Sequence, residues 1–168
     1  MNTEAMGAAD EKAIKSPMEP LRLLAEDADD LAVISAVVQD ALISVRDLTY
    51  DGAAKRFTLV VNRFRWEAKP PQSNGDAEGS PAYERRLCAV TFDAVDSVAY
   101  RGFRRRDDGR ILALLAIRTG NGPGTIDLEF SGGAALRLAV SAIKAYATDL
   151  GEAWPTAWQP EHNTGDTP

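Results

Sequence analysis

The spacing of apolar residues changes near residue 43 of this chain, and that change limits the folds open to it. From residue 27 to residue 42 apolar side chains recur every three or four positions, which is the period of a helix. Beyond residue 43 they alternate in short segments separated by Gly, Asp, Asn and Pro, which is typical of antiparallel strands joined by turns. The sequence therefore predicts a helix followed by a series of antiparallel strands.

The helical segment spans 27–42. Asp27, Asp29 and Asp30 stand at its start, where carboxylates cap free backbone N–H groups and meet the positive end of the helix dipole. Its apolar stripe is Leu31, Ile34, Val37, Val38, Ala41 and Leu42. Segment 141–150 returns to helical spacing and predicts a second, C-terminal helix that ends at Gly151.

Between the two helices the alternation predicts about seven strands. Phe64 and Trp66 are out of phase with the apolar residues before them, so we expect a β-bulge near Asn62 and Arg63. The predicted strands are 43–50, 56–66, 83–92, 95–103, 111–119, 125–130 and 134–140. The expected fold class is α+β: an N-terminal helix, a bent sheet or partly open barrel, and a C-terminal helix packed on it.

The chain has 168 residues, which suits one domain. We place that domain at 21–158, with a long Pro- and Gly-containing connection at 67–82 and polar, disordered tails at 1–20 and 159–168. No apolar run is long enough for a secretion signal or a membrane span, so the expected location is the cytoplasm.

The net charge of -6 is unevenly distributed. Residues 55–106 hold 11 basic and 6 acidic side chains, a net charge of +5, whereas both flanking segments are acidic. Two interpretations remain open. The arginines are ordinary solvent-facing strand residues that deter edge pairing, or they bind an anionic ligand through Arg63, Arg65, Arg101, Arg104 and Arg105.

The chain has few of the residues that common catalytic sites need. One Cys and one His cannot provide a soft-metal site, so we expect no metal and no cofactor. Cys88 falls in mid-strand, in phase with apolar neighbours, and His162 lies in the polar tail, so a Cys–His or Ser–His mechanism has no support. The carboxylates Asp96, Asp127 and Glu129 leave one enzymatic alternative, a site in which they act with arginines on an anionic metabolite.

Trp154 and Trp158 follow the predicted C-terminal helix. Apolar surface costs about 25 cal/mol per Å² when it stays in water, so both rings should be covered. They either fold back on the domain or form a contact with a partner.

Two resemblances follow from these segments. The element order, through residues 87–98 and the last hairpin running into 141–150, resembles the pleckstrin-homology-like superfold, which binds lipids, peptides and proteins. The sequence also resembles an uncharacterised family of small alphaproteobacterial proteins, a domain of unknown function. Four segments carry that resemblance, 21–25, 64–67, 98–102 and 149–154, and it implies a bacterial, cytoplasmic setting.

The function expected from the sequence is therefore a non-enzymatic binding or adaptor module for a protein or peptide. An anionic small ligand and a homodimer remain alternatives, as do the small enzyme and a homo-oligomeric structural protein. Nucleic acid is not expected, because a pI near 4.8 opposes nonspecific attraction to phosphate.

Overall fold

The computed structural model describes residues 19–65, 83–107 and 109–156. Within them the chain forms one α-helix and ten strands, with short 3₁₀ turns at Val45–Asp47 and Ser131–Gly133. The elements are β1 (Arg22–Ala25), α1 (Ala28–Val37), β2 (Leu42–Ser44), β3 (Leu48–Asp51), β4 (Arg56–Phe64), β5 (Tyr83–Phe92), β6 (Val95–Arg101), β7 (Ile111–Thr119), β8 (Thr125–Phe130), β9 (Ala135–Val140) and β10 (Ala145–Thr156).

The strands form one antiparallel sheet in the order β1-β10-β5-β4-β2-β7-β8-β9-β6, with β3 paired to β4 beside this path. The sheet is open, because its end strands β1 and β6 do not pair with each other within the described residues. Neighbours along the sheet are often far apart in sequence; β1, for example, pairs with β10 through Arg22 and Thr148.

Alternation along each strand builds a single apolar core. In β8, Ile126, Leu128 and Phe130 are buried while the residues between them are partly exposed. The inward sides of both ends of the sheet contribute to one buried cluster. Helix α1 packs against β7 and β1, and the Ile117 N–H donates a 2.9 Å hydrogen bond to Ser35 Oγ.

The helix begins as the sequence indicates and ends earlier. Asp27 is its N-cap, with its side chain accepting a 2.8 Å hydrogen bond from the Asp30 N–H. The chain leaves the helix at Val38, and Asp40 has a positive φ of 63°. The predicted stripe continues to Leu42, but Leu42 already belongs to β2.

The predicted fold class is wrong. The protein is not a pleckstrin-homology-like α+β domain with a C-terminal helix, because residues 145–150 belong to the long strand β10. There Ala145, Ala147 and Asp149 point inward, and the residues between them point outward. The prediction rested on Val140, Ile143, Ala147 and Leu150, which recur every three or four positions. Pairing with β5 and β1 overrides that local preference, which is a weak one.

The strand count and the predicted bulge are wrong as well. Segment 43–50 is divided by a 3₁₀ turn into β2 and β3, and β1 and β10 add two strands that local periodicity did not reveal. The register between β4 and β5 runs unbroken from Phe57 and Phe92 to Phe64 and Arg85. Because no residue slips, Arg63 stays in phase with the apolar positions and points into the core.

Arg63 is fully buried and forms an ion pair with Asp149, whose side chain is equally buried. Two hydrogen bonds of 2.7 Å, from Nε to Oδ1 and from Nη2 to Oδ2, make the contact bidentate. The Leu21 N–H donates a further hydrogen bond of 2.8 Å to Oδ2, and the Arg86 Nε lies 4.0 Å away. The pair therefore connects β4 to β10 across β5, next to the start of β1.

Desolvation of Asp149 would by itself raise the pKa of its carboxyl group. Hydrogen bonds from Arg63 and Leu21, with the charges of Arg63 and Arg86, outweigh it and hold the pKa below the ordinary value of 3.8. The carboxylate is therefore charged in the folded protein at neutral pH.

Several expectations lie outside the described residues. They are the N-terminal tail up to residue 18, the loop at 67–82 and the C-terminal tail with His162. Among the residues that the structure does describe, no helix has the length and apolar character needed to cross a membrane.

We expect the buried pair to behave as a unit in unfolding experiments. Arg63→Met or Asp149→Leu alone should lower the free energy of unfolding by about 3–5 kcal/mol, because each leaves an uncompensated buried charge. The double variant should recover most of that loss. Urea unfolding of all four proteins gives the coupling energy. The control is the exposed pair of Arg137 and Asp127, whose coupling energy should be about 1 kcal/mol or less. Additive losses at the buried pair would contradict the expectation.

Stability should also fall in acid through Asp149. Its folded pKa lies below its unfolded value, so its contribution is complete above about pH 4 and is lost as pH falls through the folded pKa. The gap in unfolding free energy between wild type and Asp149→Asn should therefore narrow from about pH 4 toward pH 2. Urea titrations at successive pH values measure it, with circular dichroism to check folding. A constant gap over that range would show that the carboxylate is not the titrating group.

Candidate functional site

The structure separates the five arginines that the sequence suggested as one binding set. Arg63 and Arg65 are 0% and 3% exposed, and Arg65 forms an ion pair with Glu84. Arg101, Arg104 and Arg105 are exposed, at the end of β6 and in the turn that follows. In sheet order β2, β7, β8 and β9 lie between β4 and β6.

Arg63 and Arg65 belong to a group of four buried arginines completed by Arg85 and Arg86. Arg85 donates hydrogen bonds to the backbone and side-chain oxygens of Asn62, at 3.3 and 3.4 Å, and its guanidinium lies 6.0 Å from the Phe64 ring centre. Desolvation lowers the pKa of Arg85, opposed by the charge of Asp40.

Arg86 donates a hydrogen bond to the Gly151 carbonyl, besides lying near Asp149. Arginines are rarely this buried unless they are paired. The contacts of the buried group serve β4, β5 and β10, so these side chains hold the interior together.

Of Trp154 and Trp158, only the first lies within the described residues. Trp154 lies on β10, where its backbone pairs with Arg85 beyond a register shift that begins at Leu150. Trp158 lies outside the described residues. The choice between an intramolecular contact and a partner contact stays a prediction.

The exposed arginines stand beside an open sheet edge. Within the described residues β6 pairs with one strand, β9, so the backbone groups along its other side have no strand partner. The register shifts between Val95 and Ser97, and the Val95 carbonyl accepts a 2.7 Å hydrogen bond from the Tyr50 hydroxyl. From Ser97 to Arg101 the pairing with β9 is regular, so these five residues provide a usable edge.

A buried aromatic residue holds the turn after β6 in place. Phe103 is 6% exposed and stacks edge-on against Tyr100 and Phe130, with ring centres 5.4 and 6.0 Å away. Gly102 has a positive φ of 76°, and a Cβ there would come within 2.9 Å of the Gly133 carbonyl oxygen. This anchor fixes the course of the chain that displays the next arginines.

Arg104 donates its backbone N–H to Asp107 Oδ2 at 2.9 Å, and its neighbours Arg105 and Arg106 are exposed. Burial raises the pKa of the Tyr100 hydroxyl, and the charge of Arg105 opposes that rise. We name this surface the basic edge: residues 97–101 of β6 with Arg104, Arg105 and Arg106.

A shallow cavity of about 330 Å³ lies on the outward side of β6, β9 and β8, next to the basic edge. Two carboxylates in it are already paired with arginines. Asp127 receives hydrogen bonds of 2.8 and 3.1 Å from Arg137, and Glu129 lies 3.0 Å from Arg118. Arg101 also lines the cavity and has no carboxylate in ion-pair contact within the described residues.

Sequence reasoning missed four residues that matter here. Asp149 was assigned to a helix, and Arg85, Arg86 and Arg137 were not suggested for binding. A signal existed for Arg63 and Asp149, because each falls on the apolar phase of a period-2 segment once the strand is recognised. The carboxylate suggested with Asp127 and Glu129, Asp96, is exposed and lies 3.0 Å from Lys55.

Cys88 is buried opposite Asp149 in the register of β5 and β10. Desolvation, with the nearby charge of Asp149, raises the pKa of its thiol to about 12. A thiol with that pKa holds almost no thiolate at neutral pH, so Cys88 is not a nucleophile in the folded protein.

Modification of Cys88 should therefore report unfolding. A colorimetric disulfide reagent at pH 8 should react slowly with the native protein, and the rate should rise with urea in parallel with the unfolded fraction. The control is Leu115→Cys, which adds a thiol at a position 44% exposed and should react at once. Rapid modification of native Cys88 would contradict its burial.

The comparisons with known proteins give a family and no activity. No curated protein and no solved structure matches the chain. One family model matches residues 21–162, and its description is "Protein of unknown function (DUF2948)". That match covers most of the 168 residues. The buried ion pair, the neighbouring arginines and the basic edge all lie within it, and the chain belongs to the DUF2948 family.

Proposed function

We propose that the protein is a non-catalytic binding module that receives an extended, acidic segment of a partner protein along the basic edge. The observation that carries the proposal is the open side of β6 beside exposed arginines. Addition of a strand to a sheet edge supplies backbone hydrogen bonds without regard to sequence, and side-chain contacts then supply specificity.

Charge favours an acidic segment. Arg101, Arg104, Arg105 and Arg106 are exposed around the edge, and Arg101 has no carboxylate in ion-pair contact among the described residues. The whole chain carries a net charge of -6. An acidic partner is therefore repelled by most of the surface and attracted at this location, which orients its approach.

The shape of the edge also suits an added strand. Ser97, Ala99 and Arg101 pair with Ala139, Arg137 and Ala135 and share the outward face of the sheet. Small side chains at Ala99 and Ala135 leave the depression beside the edge. Every second side chain of an added strand would lie on that face, and those nearest Arg101 would reach its guanidinium.

The enzymatic alternative needs Asp127 or Glu129 to act on a ligand held by arginines. Both carboxylates line the cavity with Arg101 and Arg137. Each is held as the counter-ion of an arginine, however, and a carboxylate with that role must break its ion pair before it can act on a ligand. We therefore favour binding over catalysis, with a protein partner in the cytoplasm.

The proposal is tested with a fluorescently labelled peptide that alternates Glu and Thr, and with a matched peptide that alternates Lys and Thr. Fluorescence anisotropy should show binding of the acidic peptide only. Hydrogen–deuterium exchange should show new protection at residues 97–101, because the peptide takes up the free backbone groups there.

Exchanging the charge at the edge should weaken that binding. The double variant Arg101→Glu, Arg105→Glu should raise the dissociation constant at least about tenfold, equivalent to about 1.4 kcal/mol. The matched control is Arg22→Glu, an exposed arginine on β1 at the other end of the sheet, which should bind as wild type does. Equal binding of both peptides, or displacement of the acidic peptide by a short DNA duplex, would count against the proposal.

A further inference from the structure

A second surface, on the outward side of β1, β10, β5 and β4, is almost free of charge. The paired positions form three rows across these strands: Leu24, Tyr146, Thr91 and Thr58; Thr148, Ala89 and Val60; and Leu150, Leu87 and Asn62. We name these ten residues the neutral face. Their neighbours along each strand, such as Ala147, Val90 and Leu59, are buried on the opposite side.

The neutral face is unusual for a sheet surface in contact with water. Such a surface normally carries charged side chains, as the outward side of β7, β8 and β9 does with its ion pairs, whereas the ten residues of the neutral face are apolar or polar but uncharged. Here Leu24, Leu87 and Leu150 are 49%, 41% and 39% exposed. They are half of the six large apolar side chains that are exposed in the described part of the chain.

Charged residues border the neutral face on two of its sides. Arg22 lies at the free side of β1 in the middle row. Arg56 and Asp93, 2.8 Å apart, form an ion pair where β4 begins and β5 ends. Lys144, just before β10, is exposed. An uncharged centre within a charged rim is the usual arrangement of a protein–protein interface.

We propose that the neutral face binds the neutral face of a second copy of this chain, around a twofold axis. Each copy has a net charge of -6, so two copies repel least when no acidic side chain lies within the contact. In a twofold contact the charged residues at the rims of both copies lie around the same uncharged centre. Arg22 and Arg56 of one copy can therefore meet Asp93 of the second copy.

The side chains suit contact between two sheets. The central positions hold small or β-branched residues, Thr91, Ala89, Thr148 and Val60, which permit face-to-face packing of sheets about 10 Å apart. Four strands over five residue positions span roughly 350 Å² of sheet, less than the about 800 Å² that each partner buries in a standard interface. The dimer is therefore weak, with a dissociation constant in the micromolar range or above.

The neutral face and the basic edge are separate surfaces. The neutral face is built on four strands at one end of the sheet order, and β6 is the last strand at the other end. A dimer formed through the neutral face leaves both copies of β6 open, so one dimer presents two basic edges. The dimer does not depend on the proposed peptide binding.

Sedimentation velocity of the full chain, from about 10 μM to about 1 mM, tests the proposal. The mean mass should rise from one copy toward two. Leu87→Lys and Leu150→Lys each place two charges in the contact, one from each copy. Each variant should raise the dissociation constant of the dimer at least about tenfold. Leu115→Lys is the matched control, because Leu115 is exposed to 44% on β7, outside the neutral face, and should associate as wild type does.

Three results would overturn the proposal. They are a wild-type protein that stays monomeric over the whole range, Leu87→Lys that dimerises as wild type does, and a dimer that is lost in Arg101→Glu. The last result would assign the contact to the basic edge. The thermal unfolding midpoints of the lysine variants must match that of wild type within a few degrees. If Leu87→Lys is destabilised, Leu150→Lys takes its place in the test.

Discussion

The buried ion pair between Arg63 and Asp149 is the contact on which the sheet most depends. It joins β4 and β10 across β5, and Asp149 also holds the start of β1 through the Leu21 N–H. A charge in this position is costly unless its partner is present, so the pair penalises every register of β4, β5 and β10 in which the two side chains do not meet. Apolar residues alone would be less selective, because many of them could exchange places.

The buried arginines around that pair explain part of the charge pattern along the chain. The net charge of +5 in residues 55–106 comes mostly from arginines. Four of them, Arg63, Arg65, Arg85 and Arg86, are buried among β4, β5 and β10, where they bind carboxylates and backbone oxygens. Those that follow β6 are exposed. The basic segment thus has a structural part and a surface part, and any anionic partner can reach only the second directly.

Local pattern was sufficient where a segment alternates clearly and is bounded by turn residues. The strands 83–92, 111–119 and 125–130 were predicted with the bounds that the structure has, because alternation and turn residues lie within the segment itself. Pattern failed where the deciding partner is distant in sequence. Segment 145–150 has helical spacing, and its strand conformation follows from pairing with β5 and β1, more than 50 residues away.

The candidate site was less predictable than the fold, for a related reason. A period-2 segment assigns residues to two sides, but the sequence does not say which side is covered. A bulge near Asn62 and Arg63 was expected because Phe64 and Trp66 are out of phase with the apolar residues before them, and Arg63 was assigned to solvent or to an anionic ligand. The unbroken register places Arg63 inside, and only the burial of Asp149 on a strand that was mistaken for a helix makes that placement possible.

The strand order shows which outward side chains lie beside one another on the sheet. The same alternation that buries Ala147 and Leu128 sends uncharged side chains outward from β10 and β5, and ion-paired ones outward from β8 and β9. Dispersion and the hydrophobic effect explain the inward residues, which any folded chain needs. They do not explain why one outward face is neutral and the other charged. A chain of this size needs no such asymmetry to fold, so the asymmetry points to contacts that the folded protein makes with other molecules.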